Sequence, residues 1–98
     1  MNKLLFQFFG GCFHQDWGAE AANSEEVVHG YRSQVTVEEA YRLSDLIERD
    51  LLMSKRSDDE LGDVLYADLG CHFDPTSTGG TVRGWLEEVV RQLRRPAL

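Results

Sequence analysis

Apolar residues recur every three to four positions over most of the chain, the period of an α-helix with one buried face. The clearest pattern runs from Val37 to about Ser54 and follows Thr36, a good N-terminal cap. Its predicted core stripe is Val37, Ala40, Leu43, Ile47 and Leu51. Two further patterns predict a helix from Ser57 to about Leu69, closed by a glycine, and a last helix from Thr81 to about Pro96.

Apolar residues in the first part of the chain crowd together. Residues 4–17 contain four of the five Phe and one of the two Trp. We predict that residues 2–9 form a buried helix, apolar nearly all round, that Gly10-Gly11 ends it, and that 12–17 form a turn or a second short helix. Ser24 is predicted to cap a further helix with its inner face on Val27, Val28, Tyr31 and Val35.

These patterns predict an all-α fold, a compact bundle of four to six antiparallel helices with short connections. The alternation at Ser33–Val37 is too short for a strand. With 98 residues and 42% hydrophobic content, residues 1–98 are expected to form a single domain with its own core. No segment approaches the ~18–20 apolar residues of a membrane span, and the N-terminal apolar run is too short for a signal peptide. We expect a cytoplasmic protein.

The net charge of −7 is unevenly spread, since residues 45–74 hold nine acids and three bases. This disfavours nucleic-acid binding, which needs a basic surface, and suits a basic protein partner. Two stripes combine acids with larger apolar groups, and we expect them to merge into one binding face; a purely solubilising surface is the alternative. The first acidic stripe is Tyr41, Asp45, Glu48 and Leu52, and the second acidic stripe is Asp59, Asp63 and Tyr66.

Potential metal ligands occur in two short groups. Cys12 and His14 precede Asp16, and Cys71 and His72 precede Asp74. A small metal-binding enzyme using Cys12, His14, Cys71 and His72 is one hypothesis, but the paired ligand spacing of zinc sites is absent. The alternative is that the histidines bond backbone groups while Asp16 and Asp74 cap turns. We therefore expect no metal, no cofactor and two reduced cysteines.

One set of motifs resembles a known family. It comprises Leu5-x-Gln7-Phe8-x-Gly10-x-x-Phe13-His14-Gln15-Asp16-Trp17, then Gly70-Cys71-x-Phe73-Asp74-Pro75, then Trp85-Leu86. The chain resembles, from Leu5 to Leu93, the small helical immunity proteins of bacterial contact-dependent growth inhibition systems. The resemblance implies a non-catalytic protein that binds a cognate toxin C-terminal domain, commonly a nuclease, and blocks its active site.

The same resemblance bears on which residues are structural. Toxins in such systems vary, so the shared aromatic motif is expected to belong to the core, with recognition on another surface. The expected structural motif is Phe13, His14, Asp16, Trp17, Phe73, Asp74 and Trp85. A generic helical adaptor domain is the remaining alternative.

Overall fold

Six α-helices make up the fold in the computed structural model, which describes residues 2–95 except for the side chains of Glu20 and Thr78. They are α1 (Lys3–Cys12), α2 (Trp17–Glu20), α3 (Ser24–Gln34), α4 (Val37–Ile47), α5 (Asp58–Asp63) and α6 (Val82–Leu93). Helices α4 and α5 continue into π-helical turns at Glu48–Leu52 and Val64–Asp68, and Pro75–Thr78 is a 3-10 turn. No strand occurs in residues 2–95, so the all-α prediction is confirmed.

The molecule has a radius of gyration of 12.4 Å, close to the ~13 Å expected for a compact domain of 100 residues. Its centre is α6, which packs against α3, α4 and α5, while α1 packs against α4. Within residues 2–95, no helix is both long enough and apolar enough to cross a bilayer. The compact helical bundle predicted from the sequence is therefore the one observed.

Side-chain caps fix where the helices begin. Thr36 Oγ1 accepts from the backbone N–H of Glu39 at 3.1 Å, and Thr81 caps α6 in the same way. Ser57 and Glu60 form a reciprocal capping box. These three predicted caps are confirmed. The predicted cap at Ser24 is one residue off, because the neighbouring Asn23 supplies the accepting oxygen.

The predicted inner face of α4 lies in the core with one exception, while on α3 only Val28 is fully buried and Val27, Tyr31 and Val35 are partly buried against the core. Leu43, Ile47 and Leu51 are fully buried, as are Leu61 and Leu69. The core stripe of α6 is also buried; it consists of Val82, Leu86, Val89 and Leu93. The exception is Val37, which is 54% exposed because it begins α4, before the helix enters the packed interior. The predicted helix stop at Pro96 lies outside the described residues.

Helix α1 passes through its two glycines and ends at Cys12, so the predicted end at Gly10-Gly11 is wrong. Gly10 is required by packing, because a Cβ atom there would lie 2.7 Å from the carbonyl oxygen of Leu69. Gly70 follows the second π turn and has φ +71°, so the prediction that a glycine closes this helix is confirmed. The expectation that α1 is buried all round also fails at Phe6, which is 54% exposed.

Helix α6 is held at its start by α5. The Asp58 carboxylate accepts the backbone N–H groups of Val82 and Arg83 at 3.0 and 2.8 Å. These hydrogen bonds lower the pKa of Asp58. Arg83 in turn donates to the carbonyl oxygens of Leu52 and Arg56. These contacts hold the first turn of α6 against the end of the first π turn and the connection that leads from it to α5.

Candidate functional site

An aromatic cluster joins the two motif segments that are far apart in sequence. Phe13 is fully buried at its centre, with ring centroids 5.3 Å from Trp85, 5.8 Å from Trp17 and 6.0 Å from Phe73. The Phe13 carbonyl oxygen accepts from the backbone N–H of His72 at 2.8 Å, which ties the second segment to the first. The motif therefore assembles one side of the core.

The same cluster reaches the surface at its rim. Trp17, Phe73 and Trp85 are only partly buried, and they border an open hollow of about 550 Å³. The indole N–H of Trp85 donates to Ser24 Oγ at 3.2 Å. We call this feature the aromatic hollow; its lining is Trp17, Ala22, Asn23, Ser24, His72, Phe73, Asp74, Ser77 and Trp85.

The polar motif residues make local hydrogen bonds. His14 Nδ1 accepts from the backbone N–H of Asp16 at 3.1 Å. Asp74 Oδ1 accepts from the backbone N–H and the hydroxyl of Thr76 at 2.9 and 2.7 Å, which lowers the pKa of Asp74. Asp74 therefore caps the 3-10 turn, as predicted. Asp16 precedes α2, but its side chain makes no capping hydrogen bond, so that prediction is wrong.

The first acidic stripe is engaged by an arginine from α6. Arg94 Nη2 lies 2.7 Å from an Asp45 carboxylate oxygen and 2.6 Å from a Glu48 carboxylate oxygen, and its Nε donates to Ser44 Oγ. The Tyr41 hydroxyl donates to the backbone carbonyl of Arg94 at 3.1 Å. Arg94 thus offsets one of the two negative charges of this stripe within the molecule. The sequence alone does not reveal this pairing, because it follows only from the packing of α4 against α6.

The second acidic stripe is free of such pairing. Asp59 and Asp63 are exposed and make no ion pair within the described part of the chain. Tyr66 is 64% exposed, and its ring lies edge-on to His72 at 5.3 Å. Asp63 and Tyr66 are three residues apart, at the end of α5 and in the middle of the π turn that follows it. This stripe presents unneutralised negative charge beside an exposed aromatic ring.

Tyr66 also lines a second hollow of about 380 Å³, which we call the Tyr66 hollow. Its other lining residues are Gly62, Leu65, Cys71, His72, Phe73, Asp74, Pro75 and Val82. His72, Phe73 and Asp74 line both hollows, so the two features adjoin. The first acidic stripe faces elsewhere: Glu48 and Leu52 border a hollow with Arg83, Arg91 and Arg94.

The potential metal ligands serve other purposes. Cys71 Sγ is buried and lies 3.7 Å from the Phe73 carbonyl oxygen, and burial raises the pKa of this thiol to about 11. Cys12 and Cys71 are not joined to each other in a disulfide. Among residues 2–95, no three side chains of His, Cys, Asp or Glu are grouped to hold a metal ion. The metal-site hypothesis for Cys12, His14, Cys71 and His72 therefore finds no support in the geometry.

Comparisons with known proteins agree on one family. Residues 2–93 match the profile of the family described as CdiI immunity protein. A chain in the crystal structure of a CdiA-CT/CdiI complex from Y. kristensenii has a similar fold, with a TM-score of 0.82 and 26% sequence identity. The match covers 92% of this chain and 95% of that chain. No curated protein was found to match the sequence.

Proposed function

The chain belongs to the CdiI immunity protein family, and from this premise we propose that it binds a cognate toxin and blocks the toxin's active site. Its partner is the C-terminal toxin domain of a contact-dependent growth inhibition effector. The observation that carries this is the family match over residues 2–93, together with the structural likeness to a chain of a CdiA-CT/CdiI complex. In this function the protein carries out no catalysis and acts in the cytoplasm of the cell it protects.

The charge of the molecule supports a nuclease as the toxin. A nuclease active site is electropositive because it binds phosphates, so its inhibitor gains from an acidic surface. This chain carries a net charge of −7, and Asp59 and Asp63 are exposed and unpaired within the described residues. Complementary charge of this kind raises the rate of encounter and disfavours wrong partners.

The second acidic stripe is the stronger candidate for the toxin interface. It combines free carboxylates with Tyr66, and aromatic anchors beside charges are typical of the residues that dominate binding energy. The first acidic stripe, Tyr41, Asp45, Glu48 and Leu52, borders a different hollow and is the second candidate surface. Its carboxylates already bind Arg94, so we expect them to contribute less.

The test is binding of the purified toxin domain by titration calorimetry and, in parallel, survival of cells that express the toxin. The parent chain should bind with 1:1 stoichiometry, stop nucleic-acid cleavage by the toxin, and restore growth. The variant Asp59→Lys with Asp63→Lys should weaken binding by about tenfold or more, since like charges across an interface repel strongly.

A control variant separates the local effect from that of net charge. Glu38→Lys with Glu87→Lys reverses two exposed acids on α4 and α6 and changes the net charge by the same amount. We expect its affinity to stay within about threefold of the parent. Equal losses in both variants would contradict the proposed surface, and a parent chain that neither binds nor protects would contradict the function itself.

A further inference from the structure

The two adjoining hollows share an electrostatic property that three other hollows of the described residues lack. Neither the aromatic hollow nor the Tyr66 hollow is lined by a lysine or an arginine. Three other hollows on the described surface each include at least one arginine. Among these five hollows, the two that contain the partly exposed motif rings are therefore the two that no lysine or arginine lines.

The sequence shows how this separation arises. All but Trp85 of the residues that line the two hollows come from segments 4–31 and 57–82. These segments hold ten of the 17 acidic residues and none of the ten Lys and Arg residues. The rest of the chain carries seven acids against ten bases. The negative charge of the protein is thus concentrated on the segments that build the hollows.

Resting on the proposed function, and in contrast to the expectation that recognition lies away from the shared aromatic motif, we propose that the aromatic hollow is a binding site for an arginine or lysine side chain of the toxin domain. Trp17, Phe73 and Trp85 supply the aromatic faces, and Asp74 supplies the carboxylate. The second acidic stripe and this hollow then form one continuous toxin-binding surface, joined through Tyr66 and His72.

The ring geometry suits a cation with an apolar stem. Trp17 and Phe73 meet edge to face at 5.3 Å and 86°, and Phe73 and Trp85 lie at 5.0 Å and 55°. Rings tilted in this way leave partly exposed faces around a concave space, where a cation within ~6 Å of a ring centroid is attracted by the ring quadrupole. The aliphatic stem of a lysine or arginine covers apolar surface at the same time.

The Asp74 carboxylate strengthens the preference for a cation. It lines both hollows, and its hydrogen bonds from Thr76 favour the ionised form. An anionic group would meet the negative faces of the rings and the Asp74 carboxylate with nothing to compensate its charge. A second copy of this chain is the competing occupant, since its own arginines lie away from the hollows.

The test measures the dissociation constant of the toxin domain for paired variants. Ala22 is exposed and lines the aromatic hollow, so Ala22→Arg places a competing guanidinium there. We expect this variant to bind at least about tenfold more weakly. The control Gln34→Arg adds the same charge at an exposed position at the far end of α3 and should stay within about threefold of the parent.

A second pair of variants tests the aromatic face itself. Trp17→Leu removes the ring and keeps an apolar side chain, whereas Trp17→Phe keeps an aromatic ring. We expect about a tenfold loss for Trp17→Leu and substantial recovery with Trp17→Phe. Circular dichroism and urea midpoints establish that each variant is folded. If the leucine variant is folded and binds like the parent, the ring of Trp17 does not contribute to binding and this part of the inference is wrong.

Failure of this inference is distinguishable from failure of the proposed function. If the parent binds the toxin and both Ala22→Arg and Trp17→Leu bind equally well, the hollow is not part of the interface and the immunity function stands. If sedimentation shows that the parent is a dimer and Ala22→Arg makes it monomeric without changing toxin affinity, the occupant is a second copy and the inference is overturned. If the parent chain does not bind the toxin domain, the proposed function itself is contradicted, and with it this inference.

Discussion

Two adjacent glycines in one helix should respond in opposite directions to the same substitution. Gly10 and Gly11 both lie within α1, so alanine at either position gains the ordinary helix preference over glycine, about 0.5–1 kcal/mol. At Gly11 nothing lies within 4 Å of the added Cβ atom. Gly11→Ala should therefore raise the free energy of unfolding by up to about 1 kcal/mol.

At Gly10 the same methyl group meets the backbone. Its Cβ atom would lie 2.7 Å from the Leu69 carbonyl oxygen, closer than a carbon and an oxygen normally approach. The carbonyl belongs to the segment between α5 and the 71–75 loop, and Gly70 follows it with positive φ, so α1 or this segment must move. Overpacking of this kind costs about 1–3 kcal/mol. After the helix gain, Gly10→Ala should destabilise the protein by up to about 2.5 kcal/mol.

Urea denaturation of both variants and the parent checks the prediction. The difference in unfolding free energy between the two variants should be about 1–3 kcal/mol, at unchanged dependence on urea. For a domain of this size each kcal/mol shifts the melting temperature by about 4–8 °C, so thermal melts should separate them clearly. Equal stabilities would refute the argument that close approach of α1 to the Leu69 carbonyl requires glycine at position 10.

Three further predictions follow from single contacts. Arg94→Met should lower the free energy of unfolding by about 1 kcal/mol, because it removes a shared partner from two carboxylates. The control Arg91→Met, on the exposed side of α6, should change this free energy little, and thermal melts compare the two variants. Asp58→Asn should destabilise the protein by about 1 kcal/mol at pH 7. The pKa of this carboxyl is lowered in the folded state, so its contribution to the free energy of unfolding is present above the unfolded pKa of ~3.9 and is lost as pH falls through the folded pKa. In urea titrations, the difference in unfolding free energy between variant and parent should therefore narrow from pH 5 towards pH 2. Burial raises the pKa of Cys71 to about 11, so at pH 8 iodoacetamide should label this thiol only after the protein unfolds. Mass spectrometry measures the labelling, and fast labelling of the folded protein would show that the thiol is accessible.

The sequence was sufficient for the helices because each signal is local. Caps at Thr36, Ser57 and Thr81 act within three residues, and an apolar stripe needs only one helix to define it. Gly10 was misinterpreted because glycine at a helix end and glycine at a close contact look the same in sequence. Only the position of Leu69, far along the chain, distinguishes them.

The candidate site was less predictable because it depends on contacts between distant segments. Arg94 and Asp45 pair across 49 residues of sequence, and no local pattern predicts this contact. The aromatic hollow joins residues near position 17 to residues near 73 and 85. The aromatic composition of the motif indicated burial, but whether a ring lies at the centre or the rim depends on what covers it. Phe13 is covered on all sides, and Trp17 is not.

If the toxin domain is basic, as proposed, the concentration of acids in segments 4–31 and 57–82 also sets how fast the protein can work. A toxin can act from the moment it is free in the cell, so protection depends on how the rate of binding by the immunity protein compares with the rate of toxin turnover. At ~1 µM immunity protein, an unsteered encounter at ~10⁵–10⁶ M⁻¹s⁻¹ takes ~1–10 s, whereas a charge-steered one at ~10⁸ M⁻¹s⁻¹ takes ~10 ms. A toxin that completes ~10 turnovers each second, a typical enzyme rate, would act many times in the first case and barely once in the second. Separating charge along the chain is then a means of shortening the toxin's lifetime, independent of how tightly the final complex is held.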